Sequence, residues 1–148
     1  MAYRTLDIAN KILAKGTECE DFISNMKLQK LLYYMQGFYL AYFDKPMFEE
    51  SIEAWMYGPV VPSMYEAYKE NGNKGIEYNG EVILLKTPKE ESLFNEVFRI
   101  YSKYSATGLM EMTHNETPWK ITKTGVGSVI SPEILKQYFK KRIKWAPK

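Results

Sequence analysis

The sequence holds one histidine, His114, and one cysteine, Cys19. His114 lies in Thr113-His114-Asn115-Glu116, so an imidazole and a carboxylate stand two residues apart and could share a proton in general acid–base chemistry. A lone histidine in a loop or at a helix end is more often a hydrogen-bonding bridge, and that is the role expected for His114. No Gly-x-Ser-x-Gly elbow supplies a nucleophile. Cys19 sits between Glu18 and Glu20, whose charges disfavour a thiolate, and it reads as an inert thiol. One Cys and one His cannot build a structural zinc site, and the acidic residues lack EF-hand spacing. The nine glycines contain neither a P-loop nor a G-x-G-x-x-G fingerprint. These residues predict no catalytic group, no metal and no cofactor.

Two basic groups could bind a partner instead. Lys27, Gln29 and Lys30 open a helical pattern, where they could meet an acidic protein surface or a phosphate near the helix N-terminus. The plainer reading is a solvated helix face. In the tail, Lys140, Lys141, Arg142, Lys144 and Lys148 interleave with Phe139 and Trp145, a weak nucleic-acid pattern. The plainer reading there is a set of cations at a helix C-terminus, with Phe139 and Trp145 pinning the end to the core. With 20 basic and 18 acidic residues the net charge is only +2, which argues against a nucleic-acid partner. The 12 tyrosines, each an apolar ring with a polar tip, favour a protein with a contact surface.

Which elements position these residues follows from periodicity. Thr5 can cap a first helix carrying Leu6, Ile8, Ala9, Ile12 and Leu13, with Gly16 as its stop. Ser24 or Asn25 can cap a second helix to about Ala41, with Leu28, Leu31, Leu32, Met35, Tyr39 and Tyr42 on one face. Lys27, Lys30, Tyr34, Gly37 and Ala41 form a second row. Gly37 in mid-helix costs about 1 kcal/mol relative to Ala, so something is expected to approach its backbone closely. Ile52–Trp55 reads as a short strand, Tyr57-Gly58-Pro59 as a break, and Pro62 as the first residue of a helix to about Glu70. Asn79-Gly80, between Ile76–Tyr78 and Glu81–Leu85, predicts a hairpin and with it the small sheet. Thr87-Pro88-Lys89-Glu90 fits a capping box before a helix reaching about Tyr104. Ser105 can cap a shorter helix around Leu109–Thr113, and Ser131 a last one carrying Ile134, Leu135, Tyr138 and Phe139. The expectation is one compact domain over residues 1–148, α+β but predominantly helical, with five to seven helices and a small antiparallel hairpin or sheet.

A chain of 148 residues with an apolar share of 45% can bury a core without metals or disulfides. One cysteine excludes an internal disulfide. The first ten residues lack an apolar signal-peptide region, and no stretch approaches the ~20 apolar residues of a membrane span. A cytoplasmic protein with no membrane partner is expected.

Three stretches go beyond general patterning. The first runs Lys27-Leu28-Gln29-Lys30-Leu31-Leu32-Tyr33-Tyr34, with Gln36-Gly37 and Leu40-Ala41 following. The second is Glu53-Ala54-Trp55 and Tyr57-Gly58-Pro59-Val60-Val61-Pro62, then Tyr65 and Tyr68. The third is Thr113-His114, Glu116 and Pro118-Trp119-Lys120. In this order and spacing they resemble the Panacea domain, also known as the SocA-like antitoxin domain and as the family of GepA-type phage-associated proteins. The resemblance spans most of the chain. It implies a largely helical antitoxin that neutralises a protein toxin encoded by an adjacent gene, by direct protein–protein binding. Toxins of this family resemble alarmone synthetases, Fic-type proteins and other translation-directed enzymes. One member is described as an adaptor that delivers its toxin to a Clp-type protease, so such a protease is a second expected partner. Some members carry an added DNA-binding domain, for which this chain has no room. The resemblance carries no catalytic site. We expect partner contacts at Lys27, Gln29, Lys30, Tyr33 and Tyr34, because other residues already supply the buried face of that helix. Tyr57, Gly58, Pro59, Tyr65, His114 and Trp119 join them, since Trp and Tyr are common at interface hot spots. The Tyr-Gly-Pro motif reads equally as scaffold, with Gly58 and Pro59 shaping a turn, and Trp55 and Trp119 are large enough to anchor the core.

Overall fold

A computed structural model describes residues 2–143. Seven α-helices and a two-stranded sheet lie within that range. They are α1 (Thr5–Glu18), α2 (Asn25–Phe43), α3 (Pro62–Tyr68), α4 (Pro88–Tyr101), α5 (Ala106–His114), α6 (Thr117–Lys120) and α7 (Pro132–Lys140). The strands β1 (Glu53–Trp55) and β2 (Gly58–Val60) lie between α2 and α3. The predominantly helical α+β expectation holds.

α2 is the axis of the molecule. Its 19 residues include only two charged side chains, Lys27 and Lys30, and its apolar residues fall on every side. A helix apolar all round is a buried helix. Residues 27–41 of α2 are all buried, and α1, α3, α4, α5, α7 and β2 pack around them. Ser24 caps α2, its hydroxyl accepting from the Lys27 amide. α7 packs along α2 at Gly37, where the Phe139 ring lies over the backbone. A Cβ at Gly37 would stand 2.3 Å from Phe139 Cδ2, which is the close approach expected at that position.

The caps of α4, α5 and α7 are the expected ones: Thr87, Ser105 and Ser131 each accept a backbone N–H three residues on. The Thr87 hydroxyl also donates to Glu90 at 2.9 Å, a side-chain bond in place of the backbone N–H bond by which a capping box is closed. α4 stops at Tyr101 rather than Tyr104, and its buried face is Leu93, Phe94, Val97 and Phe98. Two expectations at α1 are corrected. Arg4, not Thr5, is the N-cap residue, and the helix runs past Gly16 to Glu18. Gly16 serves packing: a Cβ there would meet Ile23 Cδ1 at 2.7 Å.

The sheet lies elsewhere than predicted. β1 and β2 pair antiparallel with Glu53 opposite Val60, Ala54 opposite Pro59 and Trp55 opposite Gly58, so Met56-Tyr57 turns the hairpin and Gly58-Pro59 begin its second strand instead of ending the pattern. Pro59 is tolerated because a two-stranded sheet has only edge strands. Residues 125–130 cover the other edge of β1, with the Ala54 amide donating to Ser128 O and the Gly125 amide to Ala54 O. Around Asn79-Gly80 the flanking segments do not pair with each other. Their backbone groups are taken by neighbours. The Ile76 amide donates to Ile23 O and the Tyr78 amide to the Thr17 hydroxyl. Lys11 Nζ donates to Ile83 O, and the Leu85 amide to Glu91. Tyr78 donates its hydroxyl to Glu81 O and closes the turn from the side.

Candidate functional site

The polar side chains of α2 bond the segments packed around it. Lys27 Nζ donates to Ser102 O, capping the end of α4. Gln29 accepts from the Val61 amide at 2.9 Å and donates to Asn25 Oδ1 at 2.9 Å, fixing the entry to α3. Lys30 Nζ donates to Pro59 O at 3.2 Å. Gln36 accepts from the Met47 amide at 2.7 Å and donates to Phe48 O at 2.6 Å, pinning the loop after α2. Tyr33 and Tyr34 donate to the two oxygens of Glu116 at 2.9 and 2.8 Å.

This placement corrects one expectation. Lys27, Gln29, Lys30, Tyr33 and Tyr34 are buried, Lys30 to 1% exposure, and do not form an outward contact row. Both faces of α2 point into protein, so the apolar row did not leave the polar row free. Burial pushes the Lys30 ammonium down to about 7, since the charged form loses its water and gains only a carbonyl. Burial also lowers Lys27, against the opposing field of Asp21. Glu116 is pushed up to about 7 by burial, although the Tyr34 and Tyr33 hydroxyls and the charge of Arg142 favour its ionised form. Tyr33 and Tyr34 are raised far above their ordinary range, by burial first and by Glu116 second. Tyr34 stacks on Tyr101 with centroids 3.9 Å apart, so Glu116 sits in a nest of rings drawn from α2, α4 and α7.

Gly58 explains the hairpin's fit to α2. Its φ is +111°, a region that favours glycine, and a Cβ there would stand 2.7 Å from Lys30 Cε. Gly58 and Pro59 are buried, whereas Tyr57 at the turn is 59% exposed. Tyr65 is half-buried, its ring edge-on to Trp55 at 5.2 Å. Trp119 donates its indole N–H to Trp55 O at 2.9 Å, tying α6 to β1. His114 stacks on Trp119 at 4.1 Å, and its buried Nε2 has no hydrogen-bond partner. The expected hydrogen-bonding bridge is thus a ring stack.

Around the hairpin lies a cavity of about 840 Å³, mostly apolar. It is bounded by the first turns of α2, the hairpin, α3, the start of α5 and residues 124–126. Its lining includes Gln29, Lys30, Trp55, Tyr57 and Tyr65, so it brings together four of the expected residues (Gln29, Lys30, Tyr57, Tyr65). Met56 and Val126 stand at its mouth, 66% and 84% exposed. Sequence reasoning missed both, because a single exposed apolar residue in a loop carries no periodic signal. It also missed a second clamped carboxylate, Glu90. That group accepts from Tyr3 and Tyr39 at 2.6 Å each, and although burial raises it, these bonds and the one from Thr87 hold it below the ordinary range. Of the basic tail, Arg142 lies over the Tyr138 ring at 4.1 Å, and Phe139 is the buried anchor beneath Gly37. Lys144, Trp145 and Lys148 lie outside the described residues. Cys19 is exposed and free. Among the described residues no helix is long and apolar enough to cross a membrane, and no group of three or more His, Cys, Asp or Glu is placed to hold a metal.

The chain is similar to the Antitoxin SocA of Caulobacter vibrioides (strain NA1000 / CB15N), at 29% identity over 151 residues, covering 90% of this chain and 80% of that protein. No solved structure matches it. The family described as Antitoxin SocA-like, Panacea domain, matches residues 28–120, from the first turn of α2 through α6, with the glutamine, tyrosine and hairpin contacts inside it. The chain belongs to that antitoxin family, the Panacea domain.

Proposed function

We propose that the protein neutralises a cognate protein toxin, encoded by an adjacent gene, by holding it in a direct stoichiometric complex. The observation that carries this reading is membership of an antitoxin family across residues 28–120. Direct binding is supported by the exposed apolar side chains Met56, Tyr57 and Val126, gathered at the mouth of one cavity, since clustered exposed apolar groups mark contact surfaces. Of the residues expected to touch the partner, Tyr57 and Tyr65 make the contact in this reading. Buried Gln29 and Lys30 bond the α3 entry and the hairpin and so hold Tyr65 and Tyr57 in place.

The test is growth of bacteria with the toxin gene induced, with and without this chain, followed by co-purification. Relief of arrest with a persistent, inactive complex is the expected result. Relief accompanied by disappearance of the toxin, and dependent on a Clp-type protease, would replace neutralisation with proteolytic delivery. Absence of both rescue and complex would refute the reading. The His114→Ala variant should neutralise as well as the parent chain, because a ring stacked on Trp119 is given no catalytic part.

A further inference from the structure

The cavity beside the hairpin has a lopsided charge. Its lining contains two lysines, Lys30 and Lys69, and no carboxylate. Lys69 is exposed and already paired with Glu66 at 3.6 Å. Lys30 is different: it is buried to 1% exposure, its Nζ makes a single hydrogen bond, to Pro59 O, and no carboxylate pairs with it among the described residues. An ammonium has three N–H donors, so Lys30 keeps unused donor capacity in the cavity wall. A buried cation without an anion is costly to maintain, and a partner anion relieves that cost on arrival.

Apart from the two lysines the lining is uncharged, its surface mostly apolar and aromatic with Ser24, Asn25, Gln29, Asn73, Thr107 and Thr124 among it, and a volume of about 840 Å³ is that of a site for a few side chains. A small molecule enclosed there would leave Met56, Tyr57 and Val126 bare at the mouth. A polypeptide covers both the interior and the rim. Resting on the antitoxin reading, we infer that this cavity receives an acidic, apolar-flanked segment of the toxin. Its carboxylate turns toward Lys30, and its apolar side chains lie on Met56, Tyr57 and Val126.

The experiment measures the affinity of the purified antitoxin–toxin pair for four variants of this chain. Met56→Asp and Met56→Lys place opposite charges at one exposed rim position and lose the same contact. The aspartate variant should bind at least tenfold more weakly than the lysine variant, and the difference should shrink in high salt. Lys30→Met keeps the length of the side chain and removes the cation; it should weaken the complex tenfold or more. Leu84→Asp, at a surface residue outside the cavity, should bind as the parent does. Equal affinities for the two Met56 variants, or a weaker lysine variant, overturn the inference even if Lys30→Met fails to fold. They leave the antitoxin reading standing as long as the parent pair binds. If the parent chain neither rescues growth nor forms a complex, the antitoxin reading fails and this inference falls with it.

Discussion

At the scale of single residues, the family's signature side chains act as fasteners. Tyr34 shows the consequence. Tyr34→Phe leaves one oxygen of buried Glu116 short of a donor, and an unsatisfied buried polar group costs about 1–3 kcal/mol. Chemical denaturation should show that loss, with the same change at exposed Tyr57 staying within about 0.5 kcal/mol. Lys30→Glu should unfold the protein or destabilise it far beyond that surface range, because it buries an anion against the Pro59 carbonyl. A thermal midpoint close to the parent's would contradict that. From the sequence, Lys27 and Lys30 look like a solvated row, as lysines usually are. The contrary signal is the rest of α2: two charged residues in nineteen, and apolar residues on all sides.

At the scale of elements, the contact between α2 and α7 is set by one missing methyl group. Gly37→Ala gains about 1 kcal/mol in helix propensity but drives a Cβ into the Phe139 ring, and overpacking of this kind costs about 1–3 kcal/mol. The clash should win, giving a net loss. Adding Phe139→Leu should restore part of it, so that a double-mutant cycle shows coupling; strict additivity would mean the two helices do not meet there. This contact was legible beforehand, since a mid-helix glycine asks for a close neighbour. The sheet was not. Asn79-Gly80 is a strong local turn signal, yet Thr17, Lys11 and Glu91 claim the backbone groups that a hairpin there would use. Thr17 and Lys11 come from α1, distant in sequence, and Glu91 from the first turn of α4, just past the segment. The true hairpin turns at Met56-Tyr57 without an Asn-Gly signature, because packing of Gly58 on Lys30 supplies the constraint that local turn chemistry usually gives.

At the scale of the whole molecule, two buried ionisable groups oppose each other across neutral pH. Folded Glu116 keeps its proton to about 7, whereas the unfolded chain releases it near 4.5. The folded state therefore binds more protons in that window, and this contribution to stability declines as pH rises through it. Folded Lys30 gives up its proton near 7, the unfolded chain only near 10.5, so between those values the unfolded state binds more protons and stability rises with pH. The two contributions together place a shallow minimum near pH 7. Denaturation midpoints between pH 5 and 9 should show it. Glu116→Gln should flatten the acid limb and Lys30→Met the alkaline limb, each without altering the other. Identical profiles in all three proteins would mean that neither group is titrating from a buried position.

Because α2 carries one of the three stretches on which the resemblance rests and shows almost none of it to solvent, that stretch marks an internal chassis. The rim residues proposed to meet the toxin, Met56, Tyr57 and Val126, sit on the hairpin turn and the 124–126 loop, where a substitution leaves the internal bonds of α2 untouched. A new target can then be accommodated by rewriting a few rim positions, and two chains with the same internal run need not answer the same toxin.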